Sequence, residues 1–270
     1  MRLIPAVLLS LLLAAAATAD ESPLRSLQTS DDSRGWNAVG KILLGRKGFC
    51  TGTLIGPQRV LTAAHCLYDK DSGLRIEPSE IQFLAGWRNG RAEAYRQVRR
   101  AVPHPQYSFG GLEQIERVEF DIAVLELDQP IRQPSILPFA TGLRPETGDE
   151  VGVVSYAQDR SEVPSLQEVC HVLGRQPTVL VLSCNVDYGS SGAPIFAMHG
   201  GVAQVVSVVS AKADVEGRKV ALGTALEDPL ADVLAELDVE DGGLRRSVPN
   251  VRLLSGGMAG GAKFVRPETP

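Results

Sequence analysis

From Trp36 onward the chain is written as short apolar runs, and the middle of the chain carries no long helical periodicity. The runs are Ala38–Leu44, Gly52–Ile55, Arg59–Ala63, Ile81–Ala85, Ile122–Leu127, Val151–Tyr156, Val179–Leu182, Pro194–Ala197 and Val202–Val209. They are rich in Val, Ile and Leu and are separated by Gly, Pro, Asp and Asn. Runs of this length and spacing are strands rather than helices, which argues for an all-β sandwich or barrel. One helix is signalled near the end. Asp228 suits an N-cap and Pro229 the first helical position. Leu230, Val233, Leu234 and Leu237 then share one face, a stripe that packs on the β-structure. No repeat of fixed period is present, and the proline-rich stretch 130–145 divides the chain into two halves.

The ends read differently. Residues 1–19 have the form of a secretory signal peptide: Arg2, an apolar stretch from Leu3 to Leu13, and the small-residue site Ala17-Thr18-Ala19. That stretch is too short to span a bilayer, and no later one is apolar enough, so the mature protein is expected to be soluble, without a membrane span, and exported, secreted or periplasmic. Residues 20–35 are polar and read as a flexible lead or short pro-segment, and the Gly-rich residues 241–270 as a flexible tail. The formal net charge is −5, and loss of Arg2 makes it one unit more negative. This gives no electrostatic reason to bind nucleic acid. The pairs Arg99-Arg100 and Arg245-Arg246 read as solvated surface. Behind a signal peptide, Cys50, Cys66, Cys170 and Cys184 read as disulfide partners in an oxidising compartment. Three pairings are open. Sequential pairing closes two loops of similar size, each contributing about 3 kcal/mol by loop entropy. With no CxxC pair, a zinc site is disfavoured, and no metal is expected.

Three segments carry chemistry. His65 lies in Leu61-Thr62-Ala63-Ala64-His65-Cys66, Asp121 opens Asp121-Ile122-Ala123-Val124-Leu125, and Ser191 lies in Gly189-Ser190-Ser191-Gly192-Ala193-Pro194. A serine hydroxyl is a poor nucleophile alone; it needs a base, and the base an orienting carboxylate. With Cys50-Thr51-Gly52-Thr53-Leu54-Ile55, these segments make residues 36–238 resemble the trypsin-like (chymotrypsin-fold) serine peptidases. The style is that of the secreted bacterial branch that includes glutamyl endopeptidases. The resemblance implies two six-stranded antiparallel β-barrels with a C-terminal helix. The first would take residues 36–135 with His65 and Asp121, the second residues 136–240 with Ser191. It also implies disulfides Cys50–Cys66 and Cys170–Cys184.

By the same resemblance Ser191 is the nucleophile, His65 the general base and then acid, and Asp121 the partner of the other imidazole nitrogen. The N–H groups of Gly189 and Ser191 form the oxyanion hole. The Ser-Gly-x-Pro register selects Ser191 over Ser190. His104 reads as a loop residue, His171 as a strand residue and His199 as a turn residue. An α/β-hydrolase elbow is excluded, because Ala193 stands where glycine is needed. The implied function is a secreted endopeptidase acting on protein or peptide substrates through an acyl-enzyme, as a monomer and without cofactor. The alternatives are a catalytically silent binding or regulatory protein of the same fold, and an esterase using the same triad.

Two departures matter. The digestive branch has Asp before the nucleophile, paired with a newly freed N-terminal ammonium; here the neutral Ser190 removes that ion pair. The expected primary pocket comprises Asn185, Val186, Tyr188, Val209 and Ser210. Asn185 stands where a Lys/Arg-specific pocket needs a carboxylate, and Val186 and Val209 where a glutamate-specific pocket carries Thr and His. A preference for uncharged side chains follows, with Ser210 and its neighbours pairing the substrate backbone as an added strand.

Overall fold

The computed structural model describes residues 21–110, 114–215 and 217–240. The signal peptide and tail expected at residues 1–19 and 241–270 lie outside the described residues. The strands are β1 (Arg25–Ser26), β2 (Val39–Leu44), β3 (Phe49–Gly56), β4 (Arg59–Thr62), β5 (Ile81–Ala85), β6 (Ala94–Pro103), β7 (Ala123–Leu127), β8 (Glu150–Ala157), β9 (Arg160–Arg175), β10 (Val179–Leu182), β11 (Pro194–His199), β12 (Val202–Val215) and β13 (Arg218–Ala225). Helix α1 spans Gln114–Glu119 and α2 spans Glu227–Glu240. Among the described residues no helix is long and apolar enough to cross a membrane.

Antiparallel pairing closes the strands into two barrels. The first runs β2-β3-β4-β7-β6-β5 and shuts where β5 meets β2. The second runs β8-β9-β10-β13-β12-β11 and shuts where β11 meets β8. Closure satisfies every strand edge within the ring. Ile42, Leu54, Phe83, Leu125 and Leu127 fill the first barrel. Val153, Val172, Leu180, Leu182 and Ile195 fill the second. Between them Val39, Leu61, Ile122 and Val124 pack on Val154, Tyr156, Phe196 and Val208. Full burial of each such side chain contributes about 1.5–3 kcal/mol. The same cluster takes Leu230, Val233 and Leu237 of α2, the helical stripe read from the sequence.

Three long strands escaped the apolar pattern, and each for a visible reason. Strand β6 carries Arg96, Arg99 and Arg100, and its register against β7 shifts between Val98 and Arg100. A bulge puts two residues opposite one and breaks the period-2 alternation. Strand β9 contains Pro164 and shifts register twice against β8. In β13 the outward ends are Arg218 and Lys219.

The polar lead, expected as a flexible or short pro-segment, is anchored over the described residues 21–35: Arg25 and Ser26 pair with Leu166 and Ser165 of β9. Ser22 N–H bonds Val169 O at 2.9 Å, and Leu27 is wholly buried. The anchoring comes from backbone bonds and one leucine, which a reading of composition averages away.

Candidate active site

The two barrels bring the three chemical segments together, with His65 and Ser191 lining one cleft and Asp121 behind His65. His65 sits on a single 3-10 turn, Ala64–Leu67, directly after β4. That turn is tied to β3 by the Cys50–Cys66 disulfide; Cys170–Cys184 is the second bridge. His65 and its flanking cysteines lie close enough to suggest a metal triad, but both sulfurs are consumed by the disulfide. Asp121 ends the loop before β7 and is 3% exposed. Its Oδ2 accepts from His65 Nδ1 at 2.7 Å, and its Oδ1 accepts from the His65 backbone N–H at 2.8 Å. The Ser210 hydroxyl donates a short bond to Oδ2. Ser210 owes that direction to a bulge: Val209 pairs with Gly223 and Ala211 with Leu222, leaving Ser210 as the extra residue.

Burial presses the His65 imidazole toward its neutral form. The charge and hydrogen bond of Asp121 outweigh burial and raise the pKa above the ordinary histidine value, with Arg117 opposing. A ring that donates from Nδ1 to a carboxylate keeps its Nε2 lone pair free when neutral.

The turn from Asp187 to Gly192 can be audited group by group, since each buried backbone donor and acceptor needs a partner. Asp187 O accepts from Ser190 N (2.8 Å), Tyr188 O from Gln158 N (2.7 Å), and Ser190 O from Ala193 N (2.9 Å). Thr51 of β3 holds two more: its hydroxyl donates to Gly189 O at 2.8 Å and its N–H to Ser191 O at 2.9 Å. Among the donors, Asp187 N reaches Ser190 Oγ, Tyr188 N reaches Asp187 Oδ1, and Gly192 N reaches Val209 O. Among the described residues, only the Gly189 and Ser191 N–H groups of this turn lack an acceptor. Gly189 has φ +97° and Gly192 φ +76°. A Cβ on the first would run into the Phe49 ring, and on the second into Thr62 and the Thr51 carbonyl. Glycine is required at both by conformation and by space.

His65, Gly189 and Ser191 line one cleft of about 520 Å³ with Phe49, Tyr68 and Tyr188. Among the described residues the Ser191 hydroxyl makes no hydrogen bond, so the His65–Ser191 bond is not closed in this structure. On the other side of His65 a smaller hollow of about 250 Å³ is lined by Tyr107, Phe109, Arg117 and Ser210.

The expected primary pocket is only partly assembled from the expected residues. Asn185 and Val186 line a cavity of about 540 Å³ with Asp187, Lys212, Asp214 and Lys219. Tyr188 faces the catalytic cleft, Ser210 turns to Asp121, and Val209 is buried in the second barrel. The charged wall escaped the sequence reading: Lys212 Nζ pairs with Asp187 Oδ1 at 2.6 Å and lies 4.1 Å from the Tyr188 ring centroid. Thr51 also went unassigned, although it stands inside a recognised motif. The other histidines lie outside the cleft. His171 is in β9 and His199 ends β11 at a hairpin. His104 lies in the loop after β6 and is buried there, stacked 4.7 Å from Phe120.

The human mannan-binding lectin serine protease 1 is 29% identical over 44% of this chain and 18% of that protein. The glutamyl endopeptidase of Bacillus licheniformis is 25% identical over 55% of this chain and 45% of that protein. The chain thus spans less than half the length of these curated relatives. A solved Glu endopeptidase structure superimposes with a TM-score of 0.66 at 18% identity, covering 82% of this chain and 98% of that one, and shows the two-barrel fold. The family model described as Trypsin matches residues 28–227, well over half of the 270-residue chain, and the chain therefore belongs to the trypsin family.

Proposed function

We propose that this protein is an exported serine endopeptidase that cleaves peptide bonds through an acyl-enzyme. Ser191 Oγ attacks the scissile carbonyl while its proton passes to His65 Nε2. The tetrahedral oxyanion is held by the Gly189 and Ser191 N–H groups, and His65 then protonates the leaving amine. Water, deprotonated in turn by His65, hydrolyses the acyl-enzyme and regenerates Ser191. Asp121 keeps the Nδ1–H tautomer and stabilises the imidazolium.

The observation that carries this reading is the pair of N–H groups flanking Ser190 that lack an acceptor in a turn whose other backbone N–H groups are all engaged. Two such donors lose nothing by reorganising when the oxyanion forms, and each is worth roughly 2.7–4 kcal/mol of transition-state stabilisation. Two disulfides and the expected signal peptide support export. In the cavity beside Asn185, Glu21 pairs with Arg218, Asp187 with Lys212, Asp214 and Lys219 carry opposite charges, and Asn185 carries none, which supports a preference for uncharged side chains at the cleaved position.

The test is cleavage-site profiling of the mature protein on a mixed peptide library. Internal cleavage after uncharged residues is the expected result. Cleavage mainly after Lys, Arg or Glu overturns the pocket reading, and absence of any cleavage overturns the peptidase. A catalytically silent member of the family is the second reading, favoured by the open His65–Ser191 contact. Against it, catalytic hydrogen bonds commonly tighten only when substrate binds.

A further inference from the structure

Behind the nucleophile, the turn is held by a cation from inside the chain. Ser190 is wholly buried. Its hydroxyl donates to Tyr156 O at 3.1 Å and accepts from Asp187 N at 3.3 Å and from Arg160 Nη2 at 3.5 Å. One donor and two acceptor sites are all a hydroxyl has, so Ser190 is fully engaged. Arg160 follows the two-residue Gln158-Asp159 turn that joins β8 to β9, and its side chain is 16% exposed. Its Nη1 donates to Ser155 O at 2.8 Å and to Ser155 Oγ at 3.1 Å. The same hairpin supplies Gln158 N–H to Tyr188 O at 2.7 Å. One planar guanidinium therefore spans β8 and the turn, which a lysine's single ammonium cannot do with the same geometry.

We propose that Arg160 is a positioning residue, the internal cation that fixes the Asp187–Ser191 turn through Ser190 and makes the oxyanion hole independent of a freed N-terminus. Thr51 grips the front of the turn at Gly189 O and Ser191 O, and Arg160 with Tyr156 grips the back. The assignment rests on the serine-peptidase reading above for its catalytic consequence, but its structural content is independent of turnover.

The test compares Arg160→Met, Arg160→Lys and Arg160→Ala with the wild-type mature protein. In Arg160→Met, which keeps the apolar stem, kcat is expected to fall about 10- to 100-fold with KM nearly unchanged. Arg160→Lys should recover little of this, and added guanidinium should restore part of the Arg160→Ala activity. Ser190→Asp should remain active beside Arg160 and be inactive when combined with Arg160→Met, which leaves a buried carboxylate unpaired. Acetylating the mature N-terminus should leave kcat unchanged. Hydrogen exchange at the Asp187 and Ser190 amides should accelerate in Arg160→Met. Wild-type kcat in Arg160→Met, or activity lost on acetylation of the mature N-terminus, would overturn the proposal. A wild-type protein that neither cleaves peptides nor reacts with a fluorophosphonate sinks the peptidase reading instead; amide exchange then decides the role of Arg160, with unchanged rates counting against it.

Discussion

Replacing Thr51 with valine tests whether the first barrel holds the oxyanion turn. The side chains are nearly isosteric, so packing is kept and only the hydroxyl is lost. Thr51 is wholly buried, and its hydroxyl joins two partners, donating to Gly189 O at 2.8 Å and accepting from Tyr156 N at 3.1 Å. Thr51→Val leaves both without a partner, at about 1–3 kcal/mol for each group, or some 3 kcal/mol together when part of the loss is recovered by water. For a domain of this size that is a fall in Tm of roughly 6–12 °C. Catalysis should suffer separately, because the Gly189–Ser190 peptide loses its lock. A loss of about 1.4 kcal/mol in transition-state stabilisation is a tenfold fall in kcat. Thr62→Val is the control, since that hydroxyl donates only to Thr51 O at 2.9 Å. It should lower Tm and leave kcat within about twofold. Differential scanning calorimetry and steady-state kinetics on one peptide, both well below Tm, separate the two effects. If Thr51→Val lowers Tm but keeps wild-type kcat, the coupling between β3 and the turn is refuted.

The pH dependence has two limbs of opposite sign. His65 works as a base only when neutral, and Asp121 raises its pKa, so kcat/KM should fall as pH drops through a value above the ordinary 6.5 of histidine. Stability runs the other way. A pKa raised on folding means the folded state binds the proton more tightly, so this contribution is complete below about 6.5 and is lost as pH rises through the raised value. Activity and Tm measured across pH 5–9 check both; a flat activity profile contradicts the assignment of His65. Ser210→Ala removes one of the donors to the Asp121 carboxylate, leaving Asp121 to attract the imidazolium more strongly. The acid limb should move to higher pH, with kcat/KM at pH 7 lower by about tenfold; an unmoved limb counts against a role for the bulge at Ser210.

Much of this arrangement was legible before any coordinates. A Val-rich run such as Val151–Tyr156 declares a buried strand because both faces of a closed barrel wall are covered where the two barrels meet. The segments around His65 and Ser191 declare themselves through residue types that packing alone does not demand: a histidine beside a paired cysteine, and glycines at Gly189 and Gly192 where a Cβ has no room. What stayed hidden is what depends on partners far apart in the chain. Nothing near Thr51 announces that it grips Gly189, a residue 138 positions away. Arg160 reads as a charge in a polar hairpin until the fold lays Ser190 against it. The pocket wall is hidden for a related reason: nothing local in the sequence announces the bulge that aims the Ser210 hydroxyl at Asp121, or that Lys212 and Asp187 meet across the wall. The anchoring of the lead stayed hidden because it rests on one leucine and a few backbone bonds within a polar composition.

The central claim is that the alcohol of Ser191 is made nucleophilic by His65 beside two waiting amide donors. The most direct measurement is the rate and site of fluorophosphonate attachment, followed by intact mass and peptide mapping, for the wild type and for His65→Ala. The account predicts a single adduct on Ser191, formed at least about a thousandfold more slowly in His65→Ala. An adduct on Ser190, no adduct at all, or an unchanged rate without His65 would contradict it.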